Sequence, residues 1–111
     1  MTQKNDSVYV EHILESINRI AEYVEDDRNK FYQSSLVQDA VIRNLQVLAE
    51  SSQRLSDEFK SRHTDIPWRE FSGFRNILVH GYLGIDLDAV WSVVEQDLPQ
   101  LHASLTSSRS Q

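Results

Sequence analysis

Apolar side chains recur every three or four positions in four segments of this chain, a period that predicts amphipathic α-helices. The helices are predicted at about residues 8–25, from 31 or 34 to 59, at 67–80, and from Asp86 or Asp88 to 105. With only three glycines and two prolines in 111 residues, a turn-rich sandwich or barrel is disfavoured. The sequence therefore predicts an all-α antiparallel four-helix bundle.

Local signals place the ends of these predicted helices. Ser7 can cap the first helix by accepting a hydrogen bond from a free backbone N–H. Pro67 suits the first position of the third helix, where its missing N–H is not needed. Gly81 is placed to end that helix, because glycine adopts a positive φ at little cost. Pro99 falls inside the fourth helix and predicts a kink, since it removes one backbone hydrogen bond.

The length of the chain predicts one domain over residues 1–111, with a polar tail at 106–111 that frays. The sequence has no cysteine, which excludes disulfides, thiolate catalysis and zinc sites built on cysteine. No apolar run is long enough to span a membrane, and the polar N-terminus does not resemble a secretory signal. These features together predict a cytoplasmic protein.

Charge is distributed unevenly along the chain. The net charge of -6 argues against a protein that coats nucleic acid, because neutralising phosphates requires Lys and Arg. Residues 60–82, however, are a positive stretch with four basic and two acidic side chains: Lys60, Arg62, Arg69 and Arg75 against Asp65 and Glu70. Charge alone favours a solvated helix face of mixed sign there.

Polar groups able to act on a phosphodiester are embedded in the apolar end of the third predicted helix. They are Arg75, Asn76, His80 and Tyr82. An imidazole can act as general acid or base, and a guanidinium can hold a phosphate. At 100° per residue, Asn76 and His80 share a face, whereas Arg75 and His80 lie about 140° apart. For Arg75 and His80 to act at one point, the helix end must turn at Gly81 or a second copy of the chain must contribute. No carboxylate pair or histidine pair predicts a metal site, and no cofactor is expected.

The same residues also have purely structural interpretations. Arg75 could pair with Asp39 or Glu50 of the second helix. His80 could interact favourably with the helix dipole at the C-terminus, and Tyr82 could belong to the core. His12 and His102 are isolated in sequence and are interpreted as surface or interface residues.

The pattern Arg75-x-x-x-x-His80-x-Tyr82 resembles the motif of HEPN-domain ribonucleases, with Asn76 following the arginine. The tyrosine two residues after the histidine is similar to the HepT branch, the toxins of HEPN/MNT toxin–antitoxin pairs. The resemblance covers roughly residues 8–105. It includes four flanking segments: residues 39–43, 66–69, 79–82 and 86–91.

This resemblance implies an all-α HEPN-like domain that forms a homodimer or a higher homo-oligomer, so that two motifs face one cleft. It implies metal-independent cleavage of RNA, tRNA or mRNA, through attack of the 2′-hydroxyl on the adjacent phosphate. Arg75 would bind the phosphate, His80 would be the general acid or base, and Asn76 would support them. Tyr82 would contact RNA and be the residue that the antitoxin, a minimal nucleotidyltransferase, modifies with AMP. The adduct would block the cleft and repel RNA.

Two function classes follow from these interpretations. One is a ribonuclease toxin of a type VII-like toxin–antitoxin pair, silenced by AMPylation of Tyr82. The other is a non-catalytic HEPN module that binds a nucleotidyltransferase. Because Arg75, Asn76, His80 and Tyr82 are all present, the sequence favours the ribonuclease.

Overall fold

The computed structural model describes the backbone of residues 2–80 and 86–109, and the side chains of residues 6–74 and 86–107. Within these ranges the regular structure is entirely helical, which confirms the predicted all-α bundle. The helices are α1 (Thr2–Val24), α2 (Arg28–Gln33), α3 (Ser35–Arg54), α4 (Asp57–Arg62), α5 (Trp68–His80), α6 (Leu87–Ser92) and α7 (Leu98–Arg109), with a π-helix at Val93–Asp97 joining the last two. The predicted tail at 106–111 lies partly outside the described residues, and α7 continues through its first part.

Helix α1 begins earlier than predicted, so Ser7 is not its N-cap. The added turn carries Asp6, which is buried and accepts hydrogen bonds from the backbone N–H and the hydroxyl of Ser56, at 2.8 and 2.7 Å. This contact joins the start of α1 to the N-cap of α4. A prediction from local periodicity misses it, because the stabilising partner lies far away in sequence.

The second predicted helix is divided into α2, α3 and α4. Ser34 separates the first two, and its hydroxyl caps α3 by accepting from the N–H of Val37 at 3.2 Å. Ser56 caps α4 in the same way, accepting from the N–H of Phe59 at 3.0 Å. Short hydroxyl side chains at N-caps satisfy N–H groups that a helix leaves free. Each serine thus redirects the chain while keeping its hydrogen bonds.

The connection between the first two predicted helices is shorter in the structure, because α2 begins at Arg28. Glu25 and Asp26 have positive φ values of 50° and 54°, and they turn the chain sharply after α1. Asp27 then caps α2 by accepting from the N–H groups of Asn29 and Lys30, at 3.0 and 3.3 Å. The turn brings α2 back against the bundle.

The core lies mainly between α1 and α3, with α5 packed on α3 and α7 packed on α1. Side chains from these four helices and from α2 are excluded from solvent. The largest hydrophobic ones are Ile13, Ile20, Phe31, Val41, Leu45, Leu48, Phe71, Leu101 and Leu105. None of the described helices has the length and apolar character that crossing a bilayer requires.

The last helix is irregular where a kink was predicted. Asp86 is its N-cap, accepting from the N–H groups of Asp88 and Ala89 at 3.0 and 3.2 Å. The N–H of Leu98 bonds to the carbonyl of Val93, five residues back. Pro99 follows directly and has no N–H to give. Wider π spacing just before a proline therefore lets the helix continue with few lost hydrogen bonds.

Candidate functional site

The start of α5 is fixed by the short turn that precedes it. The indole N–H of Trp68 donates to the carbonyl of His63 at 3.0 Å, and the Trp68 ring meets Phe59 edge-on with centroids 6.0 Å apart. The carbonyl of Pro67 accepts from the N–H of Glu70 at 2.9 Å, which closes the first turn. The helix therefore begins within one residue of the predicted position.

Two phenylalanines of α5 are buried in the core of the bundle. Phe71 and Phe74 are 2% and 7% exposed, and their rings pack edge-to-face with centroids 5.3 Å apart. They are three residues apart, so both lie on one side of the helix. This side is turned toward the bundle, which fixes the rotation of α5 about its axis.

The predicted site residues occupy defined positions on this helix. Helix α5 continues unbroken through His80, so Arg75, Asn76 and His80 all belong to it. At 100° per residue, positions 76 and 80 fall on the side opposite positions 71 and 74, whereas position 75 is on a flank. The side chains of Arg75, Asn76 and His80, and the whole of Tyr82, lie outside the described residues.

The continuity of α5 removes one of the two ways in which Arg75 and His80 could converge. A turn at Gly81 would follow both residues, so it could redirect Tyr82 but not move Arg75 relative to His80. The two positions remain about 140° apart around the axis and about 7.5 Å apart along it. Of the two arrangements predicted from sequence to bring Arg75 and His80 together, a second copy of the chain is the one that remains.

The side of α5 opposite its buried face is open in its described part. By helical period, Arg69 and Gly73 share that side with positions 76 and 80. Arg69 is exposed, and a Cβ added at Gly73 would meet no heavy atom within 4 Å. The helix backbone is therefore accessible beside the predicted site. Arg69 places a positive charge, which attracts phosphate, at the N-terminal end of this open side.

Carboxylates line a cavity beside the N-terminal end of α5, the same end that carries Arg69, and they are unfavourable for RNA. A cavity of about 110 Å³ lies between the start of α5 and the π-helix, and its lining includes Asp65, Glu70 and Asp97. Burial, and secondarily the nearby Glu70 carboxylate, raise the pKa of Asp97. Negative groups crowded here repel phosphate. The region around this cavity is thus unfavourable for an anionic ligand.

A contact between α2 and α6 lies just beyond the predicted motif, and sequence reasoning missed it. The hydroxyl of Tyr32 donates to the carboxylate of Asp88, which raises the pKa of Tyr32. The guanidinium of Arg28 lies over the Tyr32 ring, 5.2 Å from its centroid. Asp88 is in the first turn of the helix that follows the motif. No local pattern signals a pair separated by 56 residues.

Neither of the isolated histidines is placed at this site. His12 is exposed on α1 and lies edge-on to Tyr9, with ring centroids 6.2 Å apart. His102 is half-buried on α7, where it borders a groove against α1. Among the described residues, no group of three or more His, Asp or Glu side chains is arranged to hold a metal ion.

Comparison with known proteins assigns the family. A family model described as ribonuclease HepT-like matches residues 13–107. A Thermococcus cleftensis protein named probable ribonuclease HepT is 35% identical over 102 residues, which cover 91% of this chain and 93% of that protein. A Methanocaldococcus jannaschii protein provisionally named an RNase is also 35% identical, covering 91% of this chain and 94% of that protein. This chain belongs to the HepT-like ribonuclease family, as its motif predicted.

A longer relative shows the same domain in another context. It is a second Methanocaldococcus jannaschii protein, named as a gamma-glutamylcyclotransferase and, provisionally, an RNase. It is 42% identical over 100 residues, which cover 89% of this chain. The matched region is only 45% of that protein, so this chain spans less than half of its length. No solved structure matches the chain.

Proposed function

We propose that this protein is a metal-independent endoribonuclease, the toxin of a type VII-like toxin–antitoxin pair, with RNA such as tRNA or mRNA as substrate. The observation that carries the proposal is membership of the HepT-like ribonuclease family over residues 13–107. The position of the motif supports it. Arg75, Asn76 and His80 lie in the half of α5 away from the acidic cavity, on a helix that two buried phenylalanines hold in place.

The proposed chemistry is a transesterification within the RNA. The 2′-oxygen attacks the adjacent phosphorus as its proton is removed, and the bond from phosphorus to the 5′-oxygen breaks. The products are a 2′,3′-cyclic phosphate and a 5′-hydroxyl. His80 moves a proton as general base or acid, and Arg75 stabilises the negative charge that develops on the phosphate oxygens. Asn76 is one helical turn from His80 and orients its ring.

The site is proposed to form between two copies of the chain. Arg75 and His80 lie about 140° apart on one helix, so a single α5 does not aim both at one phosphorus. In a homodimer, Arg75 of one protomer can act with His80 of its partner. Two copies also supply two imidazoles, so that one can take the 2′-hydroxyl proton and the other can protonate the leaving oxygen.

An RNA-cleavage assay in EDTA tests the proposed activity. We expect the purified protein to cleave RNA under these conditions, and we expect Arg75→Ala to lower the rate by about 10²–10³-fold because charge stabilisation in the transition state is lost. Arg19→Ala is the matched control, since Arg19 is an exposed arginine of α1 that pairs with Glu15 of the same helix. Full activity in Arg75→Ala, or cleavage that requires added Mg²⁺, would contradict the proposal.

Regulation is proposed to act at Tyr82, through transfer of AMP by a minimal nucleotidyltransferase antitoxin. An adenylyl group adds bulk and a negative charge where RNA must bind. Co-expression with a nucleotidyltransferase encoded beside this chain should add one adenylyl mass to the intact protein. Tyr82→Phe should prevent the addition, whereas Tyr23→Phe, a half-buried tyrosine of α1, should not. An adduct that persists in Tyr82→Phe would contradict this assignment.

A further inference from the structure

We propose that the groove between α1 and the last helical segments binds a partner protein through a basic amphipathic helix of that partner. This inference goes beyond the proposed nuclease, since none of the described residues that line the groove belongs to α5. The groove has two adjoining parts, of about 590 and 510 Å³. Asn18 and His102 line both parts, so the groove is continuous.

The groove is long enough to hold several turns of a helix. Its wall on α1 runs from Glu11 to Val24, which is about 20 Å at 1.5 Å per residue. The opposite wall is formed by the end of α6, the π-helix and α7. Helix α1 packs far more extensively on α3 than on α7, which leaves this side of α1 open. A partner helix of about 13 residues would span the groove.

The floor of the larger part is apolar and reaches the solvent. Ile20 and Leu98 form its buried base. Above them Val94 is half-buried, while Ala21 and Pro99 are exposed on opposite walls. Apolar surface surrounded by polar groups is typical of a site that binds another protein. An amphipathic helix binds such a groove by laying its apolar face on the floor.

The rim of the groove is strongly acidic. Six exposed carboxylates line it: Glu11, Glu15, Glu22, Glu25, Asp26 and Glu95. Arg19 is the single arginine or lysine among the described lining residues, and it pairs with Glu15. Glu25 pairs with Lys30 of α2. An excess of negative charge remains after both pairs, so lysines or arginines beside the apolar face of a partner would be complementary to it.

The same charge disfavours two other occupants. The phosphates of RNA would be repelled by the carboxylates of the rim. A second copy of the chain, bound about a two-fold axis, would bring the same acidic rim against itself, because such a contact uses one surface patch twice. A basic helix of a different protein is therefore the occupant that the groove fits.

The fluorescence of Trp91 can test this proposal, because Trp91 lines the groove and is one of two tryptophans in the chain. In a Trp68→Phe background, Trp91 is the source of the tryptophan emission. The probe is a synthetic alanine-based helix of about 14 residues, with leucines along one face and lysines beside them. We expect it to change the emission saturably. The same peptide with glutamate for each lysine should bind at least about tenfold more weakly.

Charge reversal at the rim tests where the peptide binds. In the same background, Glu22→Lys with Glu95→Lys should weaken binding of the lysine peptide at least about tenfold. Asp39→Lys with Glu50→Lys is the matched control, since it makes the same change in net charge at exposed positions of α3, outside the groove. The control should weaken binding less than about twofold, because charges far from the peptide are screened by salt. Unchanged Trp91 emission, or equal losses in the two double variants, would overturn the proposal.

Two further measurements test the other occupants without requiring RNA cleavage. Ala21→Arg, at an exposed position of the groove, should leave the oligomeric state unchanged in light scattering. A shift to a smaller species would show that a second copy covers the groove, and would overturn the proposal. A short RNA should not change Trp91 emission in an Arg75→Ala variant, where the predicted phosphate-binding residue is removed. A saturable change there would show that the groove binds RNA instead.

Discussion

His80→Ala is expected to lower the rate of RNA cleavage by about 10²–10⁴-fold, the contribution usual for a general acid or base. Imidazole is the only side-chain type in the motif that readily takes up and releases a proton at neutral pH, so no neighbour in the motif can replace it. His80 is also the last residue of α5, where substitution disturbs little of the helix. The measurement is the rate of cleavage of a labelled RNA in EDTA.

The control for this variant is His12→Ala, which removes an exposed imidazole from α1. We expect it to cleave RNA at the wild-type rate. Circular dichroism of both variants should match the wild type, which separates lost chemistry from lost structure. An active His80→Ala protein would show that the imidazole does not transfer the proton. An inactive His12→Ala protein would show that loss of activity is not specific to the motif.

Phe71→Ala is expected to lower the free energy of unfolding by about 3–5 kcal/mol, the usual cost of emptying a large buried aromatic site. Phe71 is only 2% exposed and packs edge-to-face on Phe74 in the core of the bundle. A domain of this size is stabilised by about 5–15 kcal/mol in total, so the variant loses a large share of its stability. Urea unfolding followed by circular dichroism measures the loss.

Two further variants sharpen this test of packing. Phe71→Leu should cost less than Phe71→Ala, since leucine fills most of the site and leaves a smaller cavity. Phe59→Ala, at a half-buried ring on α4, should also cost less. Equal stability of Phe71→Ala and the wild type would mean that α5 does not depend on this side chain for its place in the bundle. The rotation of the motif about the helix axis would then need another explanation.

The features of α5 that depend on local signals were predictable from sequence. Its limits were predicted at 67–80 and are found at Trp68–His80, because Pro67 and the period of apolar residues act within a few positions. The division of the second helix was missed for the opposite reason. It depends on the Ser34 and Ser56 caps, and Ser56 is also bonded by Asp6, a partner 50 residues away.

The same distinction between local signals and distant contacts applies to the candidate site. Arg75, Asn76, His80 and Tyr82 were predicted from residue type and spacing, and the family assignment agrees with that motif. The about 140° separation of Arg75 and His80 follows from helix geometry alone. The Tyr32–Asp88 contact could not be predicted, because it joins two helices that only the folded bundle brings together.

The chemical nature of the RNA ends tests most directly the proposal that this protein cleaves RNA through the 2′-hydroxyl without a metal ion. A synthetic RNA is incubated with the purified protein in EDTA, beside the same sequence carrying a 2′-deoxy sugar at the cleaved position. We expect 2′,3′-cyclic phosphate and 5′-hydroxyl ends from the first substrate and no cleavage at that position in the second, because the 2′-hydroxyl is the nucleophile. Cleavage of the deoxy substrate at that position, or 3′-hydroxyl ends formed only with added Mg²⁺, would contradict the proposed mechanism.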